Sequence, residues 1–160
     1  MINVRPMVIE DIDGVAFVHS EAFKRQFASR KWIACNFHAY PRILMYVATD
    51  EMNKITGFIQ WIQKSGFRKE VVIELEQLAV LPECQGKKMG TELINRSLKL
   101  VDEYVRSQDS VIKSIMVTTR ADNFAQELYR KTLGAEIVST IKNFYSADEV
   151  IMVASMRQTA

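Results

Sequence analysis

The chain has 160 residues, enough for one domain with a buried core and too few for two ordinary ones. Its 48% hydrophobic and 25% charged side chains are those of a water-exposed globular protein, and 6 glycines with 3 prolines leave no material for a disordered linker. With 21 basic against 19 acidic side chains and a net charge of +2, no broad field exists to hold a nucleic-acid backbone or a membrane surface.

The opening MINVRPMVIEDID carries acidic residues where a signal peptide would have its apolar run, and no window approaches the roughly 18 apolar residues of a membrane span. A cytoplasmic, reducing setting is expected. Ile2 to Met7 alternates weakly and reads as a first strand. A helix follows from Glu10 or Asp11, with Ile12, Val15, Ala16, Ala22 and Phe23 at helical spacing. A second helix, Ser29 to Ala39, is stopped by Pro41, because the residue before a proline is pushed away from helical angles. Trp32, Phe37 and Tyr40 read as core aromatics there. Cys35 and Cys84 are too far apart for a metal knuckle, and His19 and His38 are the only histidines, so no metal site is expected and the thiols read as buried or idle.

Leu44 to Thr49, Ile55 to Gln63 and Val71 to Val80 read as three strands, antiparallel because the links between them are short. Asp50 to Asn53 and Ser65-Gly66 supply their turns, and the charged Arg68-Lys69-Glu70 reads as a solvated turn. A long helix from about Lys88 to Arg106 follows, with Met89, Leu93, Ile94, Leu98, Val101 and Val105 on one stripe. A strand at Ser114 to Thr119 comes after it, and the helical crossover makes the strands on either side parallel. Asp122 to Leu133 reads as a last helix, ended by Gly134 as a left-handed cap, and strands near Glu136 to Ile141 and Val150 to Met156 close the chain. The sum is an α+β fold of about seven strands and four helices, one domain over 1–160, with a mixed sheet.

Two features point to a ligand. The third of the three strands slips in phase: Val71, Ile73 and Leu75 are odd-numbered, whereas Leu78 and Val80 are even. One extra residue near Glu76-Gln77, a β-bulge, reconciles the halves, and it splays the sheet and frees amides near Leu78 to Val80. Directly after that strand, Gln85-Gly86-Lys87-Lys88-Met89-Gly90-Thr91 leads into the long helix. Glycines there let successive N–H groups meet an anion at a helix start, with Lys87 and Lys88 adding charge. Neither a Walker loop nor a dinucleotide fingerprint can be laid on this stretch.

The loop resembles motif A of the GCN5-related N-acetyltransferases (GNAT), written R/Q-x-x-G-x-G/A after a strand and a V-x-P-like turn. Gln85, Met89 and Gly90 match, with Val80 and Pro82 before them, and Lys88 stands at the first glycine. Asn123 to Arg130 with Leu133-Gly134-Ala135 resembles the family's motif B, and Arg5-Pro6 with Asp11 resembles the family's opening. The resemblance implies a three-layer fold with a splayed central sheet and acetyl-CoA as cosubstrate. The main chain of Leu78, Ala79 and Val80 would pair with the pantetheine arm, Gln85, Gly86, Lys87, Lys88, Met89, Gly90 and Thr91 would hold the pyrophosphate, and Asn123 would orient the arm. A lysine at position 88 harms the loop only if its φ must be positive.

Acetyl transfer to an alkylamine needs a base, because such an amine has a pKa near 10.4. Glu74 and Glu76 are the candidates; the family position maps to Glu74. Tyr129 stands at the family's general-acid position for the leaving thiolate. The implied activity is direct acetyl transfer to a small-molecule or peptide amine, without metal, nucleic acid or membrane; a homodimer stays open. The alternative is a non-catalytic acyl-CoA-binding sensor or scaffold. Acceptor choice is expected at the first two helices and last strands, where Arg25, Arg30, Lys31, Trp32, Asn36 and Tyr40 cluster without a legible pattern.

Overall fold

Strands and helices follow one another largely as the periodicity predicts over residues 1–156, the part of the chain that the computed structural model describes. The last four residues of the expected domain, 157–160, lie outside the described residues. The order is β1 (Asn3–Pro6), α1 (Ile12–Ala22), α2 (Ser29–Phe37), β2 (Ile43–Thr49), β3 (Ile55–Gln63), β4 (Glu70–Val80), α3 (Met89–Ser107), β5 (Val111–Arg120), α4 (Ala125–Leu133), β6 (Glu136–Ile141) and β7 (Glu149–Ser155). Short 3-10 turns precede α1, at Ile9–Asp11, and follow β4, at Pro82–Cys84. The strands form one mixed sheet ordered β1-β2-β3-β4-β5-β7-β6. Pairing is parallel between β4 and β5, across the α3 crossover, and antiparallel in β1–β2, β5–β7 and β6–β7. This is the expected α+β class; the placing of β7 inside β6 is what the sequence pattern does not specify.

The chain divides into two compact units, one of residues 1–61 with 77–101 and one of residues 62–76 with residue 102 onward. In the first, helices cover both faces of the sheet. Gln60 on β3 accepts from Asn36 of α2, while the indole of the next residue, Trp61, donates to Ser97 of α3 at 2.9 Å. Successive side chains of a strand point to opposite faces, so α2 and α3 lie on opposite sides of β3. Val15, Val18, Ile33, Phe58, Leu93 and Ile94 fill this core. The opening strand is tied to the first helix by a fork of Arg5 on Asp11, at 2.7 and 3.0 Å, with the Val8 N–H on the same carboxylate. In the second unit, Ile115, Val117, Val150, Met152 and Ala154 supply the buried side of β5 and β7.

Some expectations shift. Helix α4 begins at Ala125 rather than Asp122, because the Asn123 side-chain oxygen takes the Ala125 N–H at 2.9 Å and holds the preceding residues in a turn. Helix α2 ends at Phe37, two residues before the expected Ala39. Tyr40, expected in the core, is 64% exposed, and of the two readings for the thiols, buried or idle, burial does not hold for the exposed Cys35. Gly134 does cap α4 in the left-handed region, with φ 69° and its N–H on Arg130.

The phase slip of β4 is present. Lys64 N–H donates to Val72 and Leu81 N–H donates to Thr56, and between these two pairs β4 uses one residue more than β3. Gln60 and Gln77 both reach side chains of α2, so they share a face and the extra residue lies between Val72 and Gln77. On the β5 side the register shifts earlier, between Val71 and Val72, and the ladder's last pair in the second unit is Glu74↔Met116.

Candidate functional site

In the first unit, Leu78, Ala79 and Val80 form the end of β4, with Ala79 buried and its neighbours half-buried. They are held from the β3 side: a Cβ on Gly57 would lie 2.9 Å from the Ala79 carbonyl oxygen and 3.0 Å from Leu93. The Gln85 side chain returns to donate to the Val80 carbonyl at 3.3 Å, and Cys84 N–H closes on Leu81. This packing turns the chain sharply out of the strand and into the loop.

The loop then takes positive φ twice, 78° at Gly86 and 60° at Lys88. Lys88 thus stands in the left-handed region, which glycine enters freely and a side chain enters at a cost of roughly 1 kcal/mol or more. The departure from the pattern thus puts a lysine in a left-handed position. Among the described residues, the N–H groups of Gly86, Lys87 and Lys88 have no hydrogen-bond partner, and the first amides of α3 follow them at the helix start, where Glu92 N–H first turns back to Lys88. Met89 is buried and its sulfur accepts from Thr56 Oγ1 at 3.3 Å, pinning the first turn, which also holds Gly90 and Thr91. Lys87 and Lys88 are exposed. Unpartnered amides beside two exposed lysines at a helix start have the chemistry that suits an anion such as a pyrophosphate.

The second unit holds Glu74, Glu76, Asn123 and Tyr129. Glu74 is buried, 9% exposed, and its Oε2 accepts from Lys64 Nζ at 2.9 Å, which leaves Oε1 as the oxygen open to a proton. Glu76 is half-buried, just before β4 passes into the first unit. Tyr129 is buried on α4, and among the described residues its hydroxyl has no hydrogen-bond partner. Burial pushes its pKa up to about 12. Asn123 is more occupied than expected: its Nδ2 donates to Thr119 and its oxygen caps Ala125, so its first role is to join β5 to α4.

Two features escape the sequence. Glu149, just before the expected last strand, is 5% exposed, and its Oε2 is a buried oxygen without a hydrogen-bond partner among the described residues. Burial raises its pKa, against the pull of Arg120 opposite it on β5. Gln77, read only as a bulge position, is buried and hydrogen-bonded at both ends of its amide, to Trp32 and Gln26. An alternation pattern marks both residues as polar and shows neither partner.

The acetyltransferase (GNAT) family model matches residues 9–135. Solved structures share the fold at low identity. The Escherichia coli ribosomal-protein-S18-alanine N-acetyltransferase superposes with a TM-score of 0.79 at 18% identity, over 100% of this chain and 97% of that one. Arabidopsis thaliana NAA60 in complex with acetyl-CoA gives 0.77 at 17%, over 98% and 99%. An aminoglycoside 6'-N-acetyltransferase complexed with coenzyme A gives 0.76 at 16%, over 99% of each chain. Among curated proteins, no sequence matches.

Proposed function

This chain belongs to the acetyltransferase (GNAT) family, and from that premise we propose that it is an acetyl-CoA-dependent N-acetyltransferase that serves a primary amine by direct attack in a ternary complex. The observation that carries this is the loop: two left-handed residues, Gly86 and Lys88, and, among the described residues, unpartnered amides lie between the end of β4 and the start of α3. Gln85 to Thr91 hold the pyrophosphate, the main chain of Leu78 to Val80 pairs with the pantetheine arm, and the remaining amide hydrogen of Asn123 helps orient it. A backbone N–H of Leu78 to Val80 meets the negative charge that develops on the thioester oxygen.

Glu74 or Glu76 takes the amine proton, directly or through water, so that nitrogen can attack as C–N forms and C–S breaks. Tyr129, with its pKa pushed up to about 12, stays protonated at neutral pH and presents its hydrogen to the departing thiolate as a hydrogen-bond donor. A thiol has a pKa near 8.5, so this phenol stabilises the thiolate more than it protonates it. Acetyl-CoA supplies the acyl group and the leaving thiol. The same reading takes the chain as one catalytic domain acting in the cytoplasm on a small-molecule or peptide amine; the neighbours named above act on a ribosomal protein's alanine and on an aminoglycoside.

One observation favours a second reading, a non-catalytic acyl-CoA sensor: Lys64 occupies one oxygen of Glu74. Thiol release from acetyl-CoA with a panel of amines decides. Turnover is expected, with Tyr129→Phe and one of Glu74→Gln or Glu76→Gln lowering kcat on the order of 100-fold while acetyl-CoA affinity stays within a few-fold. Binding without turnover selects the sensor, and no binding at all refutes both.

A further inference from the structure

Within the second unit, the turn between β3 and β4 sets a lysine against a candidate base. Lys64 follows β3 directly, and its N–H donates to the Val72 carbonyl at 2.9 Å, two residues before Glu74. That backbone bond roots the side chain beside β4. Its Nζ donates to Glu74 Oε2 at 2.9 Å, with the lysine half-buried and the carboxylate buried. Other lysines also meet carboxylates, Lys54 at Glu83, Lys113 at Glu70 and Lys142 at Asp148, but those carboxylates are exposed or half-buried. Surface pairs of that kind contribute little and hold neither partner in place.

An alkylammonium has no lone pair to attack with, so any lysine acceptor must first lose a proton to a base. A general base has to lie within about 2.6 to 3.2 Å of that proton's nitrogen. Lys64 and Glu74 meet this condition with no ligand present. The contact is the one an external amine would need to make. Once neutral, Nζ is no longer drawn to the carboxylate by charge, and the flexible stem of a lysine lets it turn away while its backbone stays bonded to Val72.

We propose that Lys64 is an acetyl acceptor of its own chain, modified within one molecule when no external amine competes. The proposal rests on the acetyltransferase reading, with Glu74 as the base. The Lys64 ammonium gives one proton to Glu74, and its nitrogen adds to the thioester carbon of acetyl-CoA. The C–N bond forms as the C–S bond breaks, the second proton of the nitrogen ends on the departing sulfur, and Glu74 returns its proton to water. The products are an acetylated Lys64, the thiol of coenzyme A and one proton. Lys64 thereby becomes a neutral amide, and Glu74 loses its cationic partner.

Peptide mass spectrometry of the parent, sampled over time with acetyl-CoA and no amine, reads the acetyl group at each lysine. Lys64 is expected to react at least about tenfold faster than the exposed Lys113 and Lys142, at a rate that dilution of the protein leaves unchanged. Uncatalysed acetylation would favour the opposite order, because it takes open amines before one hydrogen-bonded to a buried carboxylate. Glu74→Gln is expected to slow Lys64 on the order of 100-fold. Lys64→Arg, which keeps a cation for Glu74, is expected to abolish the thiol released without amine. Lys64 reacting no faster than the exposed lysines overturns the proposal, as does a rate that rises with protein concentration; both readouts use the parent, so neither depends on how a variant folds. An unchanged Lys64 rate in folded Glu74→Gln overturns it as well. A parent that acetylates an external amine and leaves Lys64 bare refutes self-modification and keeps the enzyme, whereas a parent that acetylates neither refutes both.

Discussion

Lys88 sits where motif A has its first glycine, and the backbone there has φ 60°. The lysine carries the strain of the left-handed region, and its N–H, like those of Gly86 and Lys87, has no hydrogen-bond partner among the described residues. Lys88→Gly relieves that strain and pays part of it back in unfolded-chain entropy, so a net gain of a few tenths to about 1 kcal/mol is expected. Thermal melts should show a Tm rise of up to about 4 °C for a chain of this size. Acetyl-CoA affinity should fall by no more than about fivefold, since a single cation near a helix start is worth roughly 0.3 to 1 kcal/mol and the amides remain. A loss of 100-fold would mean that the side chain, rather than the backbone, holds the phosphate.

At the scale of elements, the end of β4, which we propose meets the cofactor, is shaped by its neighbour. β3 approaches β4 so closely at Gly57 that an added methyl would strike the Ala79 carbonyl, and a carbonyl in a ladder cannot swing aside as a side-chain tip can. Gly57→Ala is therefore expected to cost about 1 to 3 kcal/mol and to weaken acetyl-CoA binding, because the displaced residue belongs to Leu78–Val80. Gly14→Ala is the control: its nearest neighbour is a side chain, Ile55 Cγ1 at 2.9 Å, rather than a backbone carbonyl of β4. Calorimetric Kd values for the two variants check this, and equal values would remove Gly57 from the argument. The extra residue of β4 was legible in sequence because a phase slip is local; its partner position on β3 was not, because it depends on which strand pairs where.

For the whole chain, stability should form a dome against pH whose limbs belong to identifiable groups. His19 is lowered by burial, against the hydrogen bond to Gln26, so the unfolded chain binds the extra proton and stability falls as pH drops below about 6.5. Burial pushes Asp11 up, but Arg5 and the Val8 N–H outweigh it and hold the carboxyl low, so its contribution is present above about pH 4 and lost as pH falls further. Tyr129 is raised to about 12, so its contribution is whole below about pH 10 and lost as pH rises from there to its folded value. Melts across pH should show the alkaline limb between about pH 10 and 12 flatten in Tyr129→Phe, and the limb below about pH 6.5 flatten in His19→Gln. Limbs that persist unchanged in both variants would assign them elsewhere.

Sequence alone determined the elements, their order and the two motifs, because hydrophobic period, glycine caps and turn residues act over a few residues. Asn123 and Tyr129 were singled out through the family resemblance, and the loop from Gln85 to Thr91 through its glycines between a strand and a helix. Tertiary structure decided the rest. It places β7 between β5 and β6, gives Lys88 its left-handed backbone, ties Glu74 to Lys64, and buries Glu149 with an oxygen left over. It also joins Gln77 to Trp32 and Gln26, which stand far away along the chain. Each of these depends on which distant groups are brought within hydrogen-bond reach, and a one-dimensional pattern carries no information about that.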